Sequence, residues 1–189
     1  MKKASTKKIV LGGVLTALVI ALYLMASFIR LGTFSTATLV LVPIIIGGAT
    51  CGCLMGAWLG FVFGAVVLLS GDAAPFLAIS VPGTIITVLA KGMLSGLCSA
   101  LVYKVLNKWN KLVAVISASL ICPFVNTAIF VLGCLTFFLP ALSLQAGDQN
   151  VFLFILTVYV GGNFFLELAV NAVLAPVIYR LLNVKEINR

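Results

Sequence analysis

The stretch Gly161–Pro176, GGNFFLELAVNAVLAP, decides the fold. It is apolar enough to lie inside a membrane, yet it carries Asn163, Glu167 and Asn171. These positions are four apart, so on a helix they form one stripe. Glu167 is the one acid in the chain with long apolar runs on both sides. A carboxylate in hydrocarbon costs at least ~2.5 kcal/mol even on lenient insertion scales. The stripe must therefore face protein or a watered cavity, and Glu167 needs a partner.

Composition around that stretch sets the class. The chain is 63% hydrophobic and 8% charged, where a soluble domain carries ~25% charge. Several apolar runs approach or exceed 18 residues, which points to an integral helical membrane protein. At 189 residues there is room for about six spans in a single membrane domain, 1–189, with no soluble domain. No Walker motif is present, so ATP binding in the usual way is excluded. The absence of histidine removes the commonest proton shuttle and metal ligand. Cys51, Cys53, Cys98, Cys122 and Cys134 all lie in apolar stretches. The Cys51-x-Cys53 pair lacks a second pair to complete a metal site, so the cysteines read as small apolar residues and no metal is expected.

The expected fold is all-α, a bundle of six transmembrane helices. The spans are placed at about 9–29, 36–50, 51–70, 83–106, 112–139 and 152–182. The first follows a basic start and is too long for a signal peptide, so it reads as a retained span. Gly13, Ala17 and Ala21 repeat every fourth residue on it, a smooth face for close helix approach. Arg30 and Gly32 end it. Pro43 inside the second span predicts a kink or a short, broken helix. Gly52, Gly56, Gly60 and Gly64 form an extended small-residue face on the third, read as tight packing or as a sliding surface. Gly71 to Pro82, GDAAPFLAISVP, is a loop with Asp72, Pro75 and Pro82 as breakers. Its apolar residues Phe76, Leu77 and Ile79 predict a lid folded back over the protein. Pro140 to Asn150 is expected to be a second, polar loop.

Six spans put both termini on one side, and the cations choose it. Lys2, Lys3, Lys7, Lys8, Lys104, Lys108, Lys111, Arg180, Lys185 and Arg189 all fall there, leaving Arg30 opposite and Lys91 in the membrane. The positive-inside rule makes that side cytoplasmic, in a multi-pass protein of a bacterial cell (inner) membrane. Lys91 lies 13 residues before Lys104, and Glu167 lies 13 before Arg180. Both then sit about 20 Å above the cytoplasmic cations. Asn126 on the fifth span reaches a similar depth, and the same count from Lys8 reaches Tyr23. A Lys91–Glu167 pair is the natural solution, since each charge alone is expensive. Two roles stay open for it, a helix–helix tether and a cavity floor that offers charge to a ligand.

An ordered set of features carries a family resemblance: Thr16-Ala17-x-x-x-Ala21, the glycine-rich second and third spans, Val81-Pro82 leading into Ala90-Lys91-Gly92, and Gly162-Asn163…Glu167…Asn171…Pro176. Together they resemble the substrate-binding (S) components of energy-coupling factor (ECF) vitamin transporters, over about Ile9 to Leu182. The resemblance implies a vitamin-binding cavity near the outer face, made by outer loops and the outer halves of the fourth to sixth spans. Lys91, Asn126, Asn163, Glu167, Asp72 and Phe76 are the substrate-binding residues it places there. It implies docking of a membrane T component on Gly13, Ala17 and Ala21, with two ATPase subunits using the ATP; this chain would need no cofactor. Many relatives carry arginine where Lys91 stands; lysine keeps the charge without the bidentate fork. The pattern looks most like the branch of pantothenate, riboflavin and folate S components. Pantothenate is favoured because a small polar acid suits one buried cation and several amides.

Two other functions compete. A stand-alone secondary transporter of a small polar solute would use Glu167 as a proton carrier, but no inverted repeat is detectable. A membrane enzyme would need an acid/base or metal constellation, and one embedded acid with one embedded lysine does not make one; no catalytic residue is assigned. Nucleic acid is not an expected partner.

Overall fold

Apolar runs of this length satisfy their backbone groups in lipid as helices, and helices are what form. The computed structural model of the chain describes residues 2–28 and 39–183. Arg30, Gly32, the first residues of the expected second span (36–38), Lys185 and Arg189 lie outside the described residues. Among the described residues all regular structure is helical: α1 (Lys2–Phe28), α2 (Leu41–Cys51), α3 (Cys53–Leu69), α4 (Ala74–Leu77), α5 (Val81–Leu106), α6 (Lys111–Phe137), α7 (Leu139–Ala146), α8 (Val151–Phe154), a π-helical segment (Ile155–Val160) and α9 (Gly161–Asn183). The last three run on as one helical stretch of 33 residues. Four stretches are long and apolar enough to cross a membrane: Thr6–Ser27, Val81–Leu106, Lys111–Phe137 and Val151–Asn183. The apolar helices α2 and α3 are shorter, at 11 and 17 residues.

Local chemistry explains the boundaries, several of which depart from expectation. Pro43 was expected to give a kink or a short, broken helix; α2 is short, at 11 residues, and Pro43 stands in its first turn, where a missing N–H is tolerated. Pro82 was expected as a breaker, yet α5 already begins at Val81. Ser80 caps it by accepting from the Gly83 N–H, and Pro82 occupies its first turn. Asn110 caps α6, accepting from the Leu112 and Val113 N–H groups. The segment 140–150 was expected as a loop, but α7 occupies most of it. Pro140 stands in that helix's first turn, and Gly147 ends it at φ 59°. Inside the 71–82 loop, residues 74–77 wind into the single turn of α4.

The glycine face resolves into two uses. Gly52, at φ 101°, is the break between α2 and α3, a conformation other residues rarely adopt. The other three lie against α5. A methyl group added at Gly56 would meet the Gly96 carbonyl oxygen at 2.6 Å, and one at Gly64 the Val88 carbonyl oxygen at 2.7 Å. One added at Gly60 would overlap the Gly92 carbonyl. Small-residue faces let backbones approach this closely, and α3 packs on α5, and α5 on α6, more extensively than any other helices.

Two apolar clusters hold the bundle. The larger joins α1 (Leu15, Val19), α2 (Ile44, Ile45), α3 (Leu59, Phe63), α6 (Val115, Ala118) and α9 (Ile178, Leu182). The smaller gathers Cys134, Phe138, Leu142, Ile155 and Val160 at the opposite end from Lys104, Lys111 and Arg180. At that basic end the Lys111 ammonium donates to the Leu182 carbonyl and to Asn183 Oδ1, both at 2.6 Å. This ties the start of α6 to the end of α9.

Candidate binding site

The antiparallel pairing of α5 with α6 places the site. Thr87 of α5 packs against Gly133 of α6, where any added methyl would overlap the threonine side chain. One turn further along α5, the Lys91 ammonium lies 5.3 Å from the centroid of the Phe130 ring. Asn126 is one turn from Phe130 on α6 and is buried. Lys91 is within electrostatic reach of Glu167 on α9, of Cys134 and of Asp72. Glu167 in turn lies within reach of Cys122, which sits beside Ser95 and Ser99. Three helices and the 71–82 segment therefore converge around Lys91.

Lys91 and Glu167, expected as a touching pair, do not meet as an ion pair: no contact within 4.0 Å joins them. The Lys91 ammonium turns to the Phe130 face, a favourable place for a cation. Residue spacing carries no azimuth, and a ring on α6 takes up the cation. Tyr23, matched to the same depth by counting, meets the loop: its hydroxyl donates to Asp72 Oδ2 at 2.5 Å.

Buried positions on these helices hold unmet hydrogen-bonding capacity. Thr87 Oγ1, Ser119 Oγ, Asn126 Oδ1, Glu167 Oε2 and Asn171 Oδ1 are sealed from solvent without a hydrogen-bond partner. They belong to α5, α6 and α9. The Asn171 amide nitrogen is occupied, donating to the Glu167 carbonyl at 2.9 Å, which leaves its oxygen free to accept. Each such atom costs ~1–3 kcal/mol while unmatched, so native structures keep few of them. The set is rich in acceptors, and one member, Glu167, lies within electrostatic reach of the Lys91 ammonium. That suits a polar ligand offering hydrogen-bond donors together with an anionic group.

Aromatic rings roof this layer at the end away from the cations. Phe76 of α4 packs on Phe130, Phe138 and Tyr159, with ring centroids 5.4, 5.1 and 5.5 Å away. Tyr159 lies in the π-helical segment, and its hydroxyl donates to Gln145 Oε1 of α7 at 3.0 Å. π-helical turns inside α-helices recur at functional sites.

Of the residues expected to bind substrate, Lys91 and Phe76 meet at the Phe130 ring, Glu167 is within electrostatic reach of Lys91, and Asn126 is buried one turn from Phe130. Asp72 bonds Tyr23 and Ser70 outside the acceptor-lined region, and Asn163 lies half-buried one turn before Glu167. Gly13, Ala17 and Ala21, the expected docking residues, are exposed on α1, away from it. Sequence reasoning missed Thr87, Phe130, Phe138 and Tyr159, and used Asn171 only as part of a stripe. Thr87 stands four before Lys91 and Phe130 four after Asn126, so helical periodicity alone would have found both. Among the described residues no three His, Cys, Asp or Glu side chains come together as metal ligands.

A family model described as "ECF transporter, substrate-specific component" matches residues 7–179. No curated protein and no solved structure gives a match.

Proposed function

We propose, from the premise that the chain belongs to the ECF transporter substrate-specific component family, that it captures a water-soluble vitamin from outside the cell, with pantothenate the favoured ligand. The observation that carries this reading is Lys91 against Phe130 and within electrostatic reach of Glu167, under the ring of Phe76, on helices that also bury the unmatched oxygens of Asn126 and Asn171. Pantothenate brings one carboxylate for the ammonium and hydroxyl and amide donors for those oxygens. A di- or tri-anion is disfavoured by Glu167 beside the single cation. In this reading the chain crosses the cell membrane six times, α2 being the shortest crossing, with both termini cytoplasmic. The shared end of Lys104, Lys111 and Arg180 supports that orientation. A T component and two ATPase subunits supply the energy, so the chain carries out no chemistry and holds no cofactor of its own.

The test is native mass spectrometry of the detergent-purified protein, followed by titration with pantothenate, riboflavin and folate. Pantothenate is expected to co-purify, and Lys91→Met to weaken its binding about 100-fold, the usual scale for removing one member of a buried charge contact. Binding of riboflavin or folate in its place would transfer the assignment to that vitamin. Recovery of the protein without T and ATPase subunits from its native membrane would count against the importer.

A further inference from the structure

One polar cluster lies outside the acceptor-lined region. Tyr23 is buried on α1, its ring edge-on to Phe63 of α3 at 5.7 Å. Its hydroxyl donates to Asp72 Oδ2. Ser70, at the end of α3, adds to the same carboxylate oxygen at 3.2 Å, and the Asp72 N–H reaches back to Ser70 Oγ at 3.4 Å. Asp72 is the residue from which the 71–77 segment departs. Ala73, next in the chain, is buried, and Phe76 is the side chain that enters the aromatic roof. The roof segment is thus held at two points, Phe76 in the rings at one end and a carboxylate fixed to α1 at the other.

We propose that Tyr23 is a positioning residue for the mouth of the binding site: its hydroxyl latches Asp72, and with it the segment 71–77, to α1. The latch couples the roof to the helix that also carries Ala17 and Ala21 on its opposite, exposed face. The roof and α1 then move as one body, and a displacement of α1 lifts Phe76 from its ring partners. That the roof guards a ligand rests on the function proposed above; the latch itself rests on the contacts of Tyr23 and is testable without any ligand.

Apolar burial alone does not need a hydroxyl at position 23, so Tyr23→Phe keeps the ring contact with Phe63 and removes the latch. The reporter is a cysteine at Ala73, a small change at a buried position, with a second reporter at Ala114, buried at the basic end of α6. Detergent-solubilised, ligand-free protein is treated with a water-soluble maleimide, and modification at each site is followed by peptide mass spectrometry. A hydrogen bond to a charged group is worth enough to hold an opening equilibrium back about tenfold or more. Tyr23→Phe is therefore expected to speed modification at position 73 about tenfold and leave position 114 unchanged. Asp72→Ala, which removes the acceptor, should do the same, and the double variant should be no faster than either single one. Unchanged modification at position 73 would overturn the latch. Equal acceleration at both positions would also overturn it, reducing Tyr23 to general packing, as would multiplying effects in the double variant. Because no ligand enters, these outcomes stand whether or not pantothenate binds.

Discussion

Lys91 on α5 and Phe130 on α6 form a cation–ring contact, the ammonium 5.3 Å from the ring centroid. This contact, with Glu167 close enough to act through space, replaces the expected ion pair. The difference changes the magnitude to be measured. Breaking a touching buried pair costs ~3–5 kcal/mol, whereas separated charges in one network couple by ~0.5–3 kcal/mol. Lys91→Met and Glu167→Gln are each expected to lower the thermal midpoint in detergent. The double variant should lose less than the sum, with a coupling of about 1 kcal/mol at the low end of that range. Strict additivity would show that the two charges do not sense each other, and a coupling near the full ion-pair value would show that they touch.

Helix class was legible because the apolar runs are long and the charges sparse. Azimuth was not. Counting from Lys8 placed Tyr23 at the depth of Lys91, yet its hydroxyl bonds Asp72. Which way a side chain turns depends on neighbouring helices, and no spacing rule carries that information. The Ser80 cap and Asn110 cap are standard signals, so the early start of α5 was readable. The π-helical turn at 155–160 has no composition that marks it. Gly52, Gly56, Gly60 and Gly64 share one spacing, but Gly52 serves a backbone break and the others a helix contact.

That division of the glycines is testable. Gly60 lies against the Gly92 carbonyl, backbone to backbone, so no flexible side chain can yield. Overpacking of this kind costs ~1–3 kcal/mol. Gly60→Ala is expected to lower detergent thermal stability by that amount. Gly13→Ala, where an added methyl meets nothing within 4 Å, should leave it unchanged or slightly raised by helix propensity. Equal effects at the two sites would mean that α3 and α5 are not in close contact.

The exposed face of α1 carries the remaining prediction. Gly12 packs inward, where an added methyl would overlap Met55, while Gly13, Ala17 and Ala21 look outward. The inward face already has its neighbours in α2 and α3, so the outward one is not needed to hold this chain together. Beside it a groove lined by Ile9, Gly12, Gly13, Thr16, Met55 and Trp58 opens, and the Trp58 indole donates to Thr16 Oγ1 at 3.3 Å. A face of small residues admits a second helix at short range, which is the use proposed here for the T component. Ala17→Trp would fill that space without touching the chain's own core. Surface changes away from the core shift stability by about ±0.5 kcal/mol or less, so folding and vitamin binding by the isolated protein should be preserved. Vitamin uptake by cells that co-express the T and ATPase subunits should be lost, together with recovery of those subunits on the purified protein. Binding lost in parallel with uptake would place Ala17 in the ligand site or the fold, and uptake retained in full would move the docking surface off this face of α1.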